Sequence, residues 1–497
     1  MEYNVQKQHD KGKYHAIERI TLLLDGGTFQ EIGSGIVNYG SRSQGGRDTA
    51  EYDGVITGHG KVQGKTVFVF AQDFTVRGGS LGLMHGKKIA RIIELAIKAK
   101  CPVIGIYDSG GARIDEGINA LAGCGEMMYY NTMASGVIPQ ISVIAGPCAG
   151  AASYSPAITD FIFMVEKTGY MFITGNDVIK SVTGEECTLQ ELGGAAVHNE
   201  TTGVSHFHFR KEKECFKAVR ELINILPSSS TEREDYRFVD FTLKDDSRIE
   251  EVLPPEVRKV YDMKNIIKEF VDEDSVIEVH EDFAKSMIVC FARLSGITIG
   301  IVANQPLVNS GSIDCDSSDK AARFIRFCDS FQIPIITLVD TPGYLPGTNQ
   351  EHSGIIRHGA KLLFAYSEAT VIKLTVVIRK AYGGAYIAMG SKHMGADFVY
   401  AWPRAEIAVM GAESAASILY KRELAAMAEE TRKEYLTEKT ESYAKDYMNA
   451  EIALKEGYVD EIIEPYEMRS RLFQDIVALS SKDVLNKPFK KHGNIPL

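Results

Sequence analysis

A chain of 497 residues, 44% of them hydrophobic and 24% charged, is long enough to bury two substantial cores. Its formal net charge of -11 argues against non-specific nucleic-acid binding, while leaving room for a local basic pocket around an anionic ligand. No uninterrupted apolar run reaches the roughly 18 residues of a membrane-spanning helix. Met1 to Arg19 is polar and charged, without a signal-peptide stretch, so a cytoplasmic location is expected.

In chain order, residues up to about Asp25 read as helical and lead into strands around Phe29 to Val37. The alternation of Gly54 to Val76, with a turn at Val62-Gln63-Gly64-Lys65, predicts paired strands. A helix is predicted from about Met84 to Lys98, with Ile89, Ile92, Ile93 and Ala96 on one face. The apolar run Val103 to Tyr107 reads as a buried strand ending in Asp108-Ser109-Gly110-Gly111-Ala112-Arg113. A helix, a strand at Gln140 to Ala145 and the turn Gly146-Pro147-Cys148-Ala149-Gly150 follow. Strand, glycine turn and helix recur in series, which is the pattern of an α/β fold. Residues 231–275 are charged and aperiodic, include Pro254-Pro255, and read as an interdomain linker with some local structure. From Val276 the pattern returns: strands at Ile297 to Ala303 and Ile333 to Val339, a helix at Asp319 to Phe331, then a charged helical tail from about Ala415 to Glu456.

The second half echoes the first at an offset of 232. Gly79-Ser80-Leu81 becomes Gly311-Ser312-Ile313; Lys88, Ala90, Arg91 and Ile93 become Lys320, Ala322, Arg323 and Ile325; Asp108 and Gly111 become Asp340 and Gly343. Matches this dense at one offset indicate two copies of one domain, each of roughly 200 residues. Further on the offset drifts to 234, setting Gly150-Ala151 against Gly384-Ala385.

A glycine turn that opens a helix directs backbone N–H groups at one spot, where a phosphate or a developing oxyanion can bind. One such turn serves strand-to-helix packing equally well; two equivalent turns in a duplicated chain point to a paired oxyanion site. Other signatures are missing. His85-Gly86-Lys87 has Leu81 where a phosphate-binding loop needs glycine, Gly58-x-Gly60 lacks the third glycine of a dinucleotide fingerprint, and neither GxSxG nor HExxH occurs. His352, His358 and His393 lack metal-ligand spacing and read as structural hydrogen bonders. The eight cysteines form no CxxC pair and read as reduced, mostly buried thiols; Cys148 sits in a glycine-rich turn, with no base suggested nearby.

Longer strings carry a resemblance: Ala71-Gln72-Asp73-Phe74-Thr75-Val76, Asp108 to Ile114, Ala134 to Gln140, Gly146 to Gly150, Arg379-Lys380-Ala381-Tyr382-Gly383-Gly384-Ala385-Tyr386, and the ending Lys491-His492-Gly493-Asn494-Ile495-Pro496-Leu497. From about residue 15 onward the chain resembles the carboxyltransferase (beta) subunit of biotin-dependent acyl-CoA carboxylases, especially of the propionyl-CoA carboxylase type. It is similarly close to the alpha subunit of sodium-pumping methylmalonyl-CoA decarboxylase. The resemblance implies an α/β fold of two crotonase-like ββα-superhelix domains, 1–230 on the CoA side and 276–497 on the biotin side. It implies catalytic N–H groups at Gly150-Ala151 and Gly384-Ala385, with Gly110, Gly111, Ala112, Tyr386 and Ile387 binding substrate. The function it implies is transfer of a carboxyl group from carboxybiotin to the alpha carbon of a short acyl-CoA, propionyl-CoA and/or acetyl-CoA. The reverse half-reaction, in a decarboxylase or a transcarboxylase, stays open. A crotonase-type hydratase or isomerase would need a placed glutamate and only one domain copy.

The chain lacks a Met-Lys-Met-like biotin-carrier tetrapeptide and an ATP-grasp segment. The resemblance therefore implies biotin on a partner chain, biotin carboxylase and carrier protein subunits (or membrane decarboxylase subunits in the alternative), no metal on this chain, and a hexamer built as a trimer of antiparallel dimers. Two positions depart from the family pattern. Ala151 stands where Gly-Pro-Cys-Ala-Gly-Gly-Ala has its second consecutive glycine, and Ile387 stands where propionyl-specific members often carry Asp, which leaves the acyl preference open.

Overall fold

The computed structural model describes residues 2–38, 52–244, 248–256, 259–483 and 490–494. It divides into two compact units, Met1–Arg233 and Glu234–Leu497. Each is built on an eight-stranded mixed sheet.

In the first unit β1 (Gln30–Glu31), β2 (Val55–Val62) and β3 (Lys65–Gln72) form an antiparallel edge. To β3 are added, all in parallel, β4 (Val103–Ser109), β5 (Gln140–Ala149), β6 (Phe161–Val165) and β8 (Phe207–Phe209), while β7 (Tyr170–Phe172) pairs with the far end of β5. The second unit repeats this. Its β9 (Ile277–Val279), β10 (Met287–Leu294) and β11 (Ile297–Asn304) are antiparallel. β12 (Ile335–Thr341), β13 (Lys373–Tyr382), β14 (Phe398–Ala401) and β16 (Glu461–Ile462) follow in parallel, with β15 (Glu406–Ala408) on the end of β13. All seven residues of β4 and of β12 are buried, which is why these segments read as unbroken apolar runs rather than alternating ones.

The repeat reaches the hydrogen-bond level. Val55 faces Gln72 across β2 and β3, and Met287 faces Asn304 across β10 and β11. Leu81 N donates to Gly111 O at 2.9 Å and Arg113 N to Leu81 O at 2.8 Å; Ile313 N donates to Gly343 O at 3.1 Å and Leu345 N to Ile313 O at 2.8 Å. Lys88 and Lys320 are both buried in helices and donate to backbone carbonyls, Lys88 to Val55 O at 2.6 Å and Lys320 to Phe283 O at 2.7 Å. Burial pushes both ammonium groups down, Lys88 to about 8.

Several expectations change in detail. The strand region around Phe29 to Val37 is reduced to Gln30–Glu31, the two residues that pair in register with β2; Ile32 adds a hydrogen bond from its N–H to Thr57 O at 2.7 Å before the chain leaves the sheet. The helix expected at Met84 to Lys98 spans Leu83–Ala99 and ends on Lys100 in a left-handed conformation. The charged tail is four helices, Ala412–Leu419, Lys421–Ala426, Glu429–Tyr447 and Ala450–Lys455, rather than one. From Glu234 on, the described part of residues 231–275 is built into the second unit. Tyr236, Ile249, Tyr261, Met263, Ile266, Ile267, Phe270 and Val271 lie in its hydrophobic core, so the amphipathic helix Met263–Phe270 behaves as a domain element and not as a tether. Residues 245–247 and 257–258 of that stretch, and Ile495-Pro496-Leu497 of the family-like ending, lie outside the described residues.

His85 offers a test of the first core. It is fully buried, its Nδ1 lies 2.9 Å from Asp53 O, and burial, helped by the Arg113 charge, pushes its pKa from 6.5 to about 3. The folded chain keeps this ring neutral while the unfolded chain protonates it, so its contribution is complete above pH 6.5 and is lost as pH falls toward 3. Chemical denaturation from neutral pH down to about 5 should show a smaller acid-induced loss of stability in His85→Gln than in the native chain. Parallel pH profiles would contradict this.

Candidate active site

The glycine turns lie at the carboxyl ends of the parallel strands, where ligand sites form in α/β sheets. In the first unit three of them meet. A Cβ on Gly79 (φ 61°) would stand 2.1 Å from Asp108 O, and one on Gly111 (φ 100°) would stand 2.9 Å from Ala149 O. Only glycine lets these backbones approach so closely. The turns after β3, β4 and β5 therefore form one continuous edge.

Asp108 organises it. Its side chain accepts from Lys13 Nζ at 2.7 Å and from Arg19 Nη1 at 2.8 Å, and Arg19 also binds Glu212 at 2.7 Å, all of them buried. The β4–β5 register shifts at this residue. Asp340 does the same between β12 and β13, accepting from Tyr261 Oη at 2.8 Å and Arg379 Nε at 3.1 Å. Both aspartates are structural anchors. So is Asp73 of the Ala-Gln-Asp-Phe-Thr-Val string, which accepts from Thr75 N at 2.9 Å and pairs with His15 at 3.0 Å. Arg113 is 2% exposed and bound to Asp53, Glu116 and Ser80.

The two helix-opening turns are alike, with one correction to their alignment. Ten-residue strands end at Ala149 and at Tyr382, and each is followed by a left-handed glycine, Gly150 (φ 63°) and Gly383 (φ 58°). The structural offset is thus 233, which pairs Gly150 with Gly383, Ala151 with Gly384 and Ala152 with Ala385. The expected pairing of Gly150-Ala151 with Gly384-Ala385 is out by one position. A short 3-10 turn, Gly150–Ser153, and a helix, Gly383–Ala388, begin at these glycines. A Cβ on Gly150 would meet only Ile173 O at 3.8 Å and one on its match Gly383 only Val409 O at 3.1 Å, while one on Gly384 would meet the Tyr344 ring at 3.8 Å.

Of the other expected site residues, Gly110 is exposed, Gly111 is buried against Ala149, and Ala112 forms a parallel bridge with Leu81. All three sit beside the first turn. Tyr386 and Ile387 sit in the second-unit helix; Tyr386 Oη is 3.4 Å from His393 Nε2, and Ile387 is 41% exposed. Cys148 is fully buried and burial raises its thiol pKa far above the usual range, which removes it as a nucleophile. His358 pairs with Asp319 at 2.8 Å. Among the described residues no cluster of three His, Cys, Asp or Glu is arranged to hold a metal ion. Two neighbours of the second turn were not anticipated. Tyr382, the last residue of β13, hydrogen-bonds Glu406, and Tyr344 packs beside Gly384. The position of Tyr344 in the repeat, matching Ala112 at offset 232, was the available signal.

Comparison with known proteins agrees with this architecture. The model of the carboxyl transferase domain family matches residues 7–495. The chain is 52% identical over 501 residues to the propionyl-CoA carboxylase carboxyltransferase subunit of Haloferax mediterranei, covering 100% of this chain and 96% of that protein. It is 50% identical over 503 residues to the methylmalonyl-CoA decarboxylase subunit alpha of Veillonella parvula, with coverage of 100% and 96%. The transcarboxylase 12S hexamer, solved with methylmalonyl-CoA and methylmalonic acid bound, superposes with a TM-score of 0.94 at 45% identity, covering 100% of this chain and 94% of that one. Two duplicated, crotonase-like units with paired glycine turns, matched end to end in sequence and structure, place the chain in the carboxyl transferase family, as a biotin-dependent acyl-CoA carboxyltransferase of the propionyl-CoA carboxylase type.

Proposed function

We propose that the two helix-opening turns are the oxyanion sites of carboxyl transfer to the alpha carbon of a short acyl-CoA, propionyl-CoA and/or acetyl-CoA. The observation that carries this reading is their equivalence: a left-handed glycine at the end of β5 and of β13, each opening a helical turn. Gly150-Ala151 would hold one carbonyl oxygen, that of the thioester, and Gly384-Ala385 the other, that of the biotin ureide. Ala151 and Gly384 are the members that also coincide in the repeat. Biotin, borne on a partner chain, would supply the carboxyl group and the basic ureide. The chain's own work is to donate N–H groups to two developing negative charges, to hold the reactants side by side and to keep water out. The first unit would carry CoA, with Gly110, Gly111 and Ala112 at its edge, and the second the biotin, with Tyr386 and Ile387 beside it.

The likeness to the 12S hexamer supports a hexameric assembly for this chain; its partners would be biotin carboxylase and carrier subunits, in the cytoplasm. The 50% identity to a decarboxylase subunit favours a second reading, the reverse half-reaction alongside membrane decarboxylase subunits, or as a transcarboxylase. No helix among the described residues is long and apolar enough to cross a membrane, so in that reading the membrane part would be another chain.

The sites can be tested without disturbing the fold. A side chain at Gly150 is strained by its φ of 63°, whereas Gly384 has ordinary φ and room for a Cβ, and Ala151 already carries one. Gly384→Val and Ala151→Val should stay folded and assembled and lose about 10²–10³-fold in kcat, the usual cost of blocking one oxyanion donor. Native turnover in both would end the assignment. Ile387→Asp addresses substrate choice: kcat/KM across acetyl-, propionyl- and longer acyl-CoA thioesters should change rank by roughly 10-fold or more. An unchanged ranking would mean that Ile387 does not line the acyl site. Affinity purification from the native host decides the direction: a biotin carboxylase should co-purify, and recovery of a multi-span membrane subunit instead would favour the decarboxylase.

A further inference from the structure

We propose that Tyr344 is a positioning residue for the second oxyanion turn, a spacer whose ring sets where the Gly384 N–H points. The inference rests on the reading of that turn given above. Tyr344 is clamped through its backbone: Ile313 N donates to Gly343 O at 3.1 Å, Leu345 N donates to Ile313 O at 2.8 Å, and Ile313 itself is fully buried. The ring packs tightly on Gly359 and flanks Gly384. Its Cδ2–Cε2 edge lies 3.8 to 3.9 Å from where a Cβ on Gly384 would stand. Its opposite edge, Cε1, Cζ and the hydroxyl, lies 3.1 to 3.2 Å from where a Cβ on Gly359 would stand. Gly359 belongs to the helix Ile355–Glu368, so the ring fixes the gap between that helix and the turn.

The hydroxyl is buried with no hydrogen-bond partner among the described residues, and burial pushes the phenol up to about 12. It stays neutral and adds no bond to the turn, so the work is done by the shape of the ring. In the first unit the equivalent position is Ala112, bridged to Leu81 as Tyr344 is to Ile313. The matched left-handed glycines are alike, a Cβ on Gly150 meeting only Ile173 O at 3.8 Å and one on Gly383 only Val409 O at 3.1 Å. One backbone framework thus carries a methyl at Ala112 in one unit and, in the other, a ring at Tyr344 that reaches the residue after the matched glycine, Gly384.

The test uses the assembled enzyme with its carboxylated carrier and acyl-CoA. Tyr344→Ala should lower kcat by up to about 10²-fold, the effect of misplacing a catalytic group by about 1 Å. KM for acyl-CoA should stay native, because the brace touches only the second turn. Tyr344→Phe should restore native kcat, since only the hydroxyl is lost. Should Tyr344→Ala fail to assemble, Gly359→Ala, whose methyl would press on the ring, takes its place with the same expected kcat loss. Native kcat in whichever of these variants assembles, a rise in acyl-CoA KM matching the fall in kcat, or a failure of Tyr344→Phe to restore turnover overturns the proposal. Gly384→Val separates the two levels: if it keeps turnover, the oxyanion reading falls, whereas if it is inactive while Tyr344→Ala is native, only the brace falls.

Discussion

A buried aspartate at the end of the second parallel strand is the constraint on which each unit depends. Asp108 and Asp340 are both about 1% exposed, and an unpaired buried carboxylate is costly. The chain answers with dedicated cations and donors: Lys13 and Arg19 for Asp108, Arg379 and Tyr261 for Asp340. At both residues the strand register slips, which turns the strand end outward. Their carbonyl oxygens then lie against Gly79 and Gly311, where no side chain fits. Backbone support comes from an amide one strand over, with Gln72 accepting from Asp108 N at 3.1 Å and Asn304 from Asp340 N at 3.2 Å. The glycine turns are held in a row because this carboxylate has to be satisfied.

The duplication keeps the backbone and frees the side chains. Bridges at Leu81–Ala112 and Ile313–Tyr344 are the same in geometry, yet one position carries a methyl and the other an aromatic ring. The next residue is Arg113, bound in an ionic cluster, in one copy and Leu345 in the other. Backbone hydrogen bonds do not depend on residue type, so a duplicated frame tolerates side-chain divergence, even at a buried position such as Arg113. The result is two similar N–H turns in differently shaped surroundings, as a reaction with two unlike oxyanions requires on the proposed function.

The two turns are built of backbone and small side chains, Gly150–Ser153 and Gly383-Gly384-Ala385, and Cys148 before the first is kept in its neutral form by burial. That composition fits chemistry in which the protein contributes oriented dipoles rather than proton-transfer side chains. Such a site favours the same charge distribution whichever way the reaction runs. This is consistent with the close similarity of the chain both to a carboxylase subunit and to a decarboxylase subunit.

Local pattern alone made much of this legible. The run Val103 to Tyr107 reads as a strand because it lies within seven consecutive buried residues, Val103–Ser109, and the 3.6-residue spacing of Ile89, Ile92, Ile93 and Ala96 marks a helix that the structure places at Leu83–Ala99. The repeat was visible because buried positions keep their residue type. The turn register was not: Gly383-Gly384 offers two glycines where the first copy has Gly150 followed by Ala151, and only the backbone angle identifies Gly383 as the partner of Gly150. Strand pairing likewise belongs to the tertiary structure. Phe29 to Val37 has strand-like composition, yet only Gln30 and Glu31 pair in register with β2, Ile32 adds hydrogen bonds with Thr57, and Gly33 already turns away at φ 75°. Residues 231–275 looked like a tether because their apolar side chains are sparse, and they became core once the second sheet offered a surface to cover. The partners of Asp108 lie up to 104 positions away at Glu212, through Arg19, a distance no local pattern spans. Sequence decided which segments are strands, helices and glycine turns, because those follow from neighbours along the chain. The fold decided which turn matches which and what braces them, because those depend on contacts that exist only after the sheet has closed around its buried aspartates.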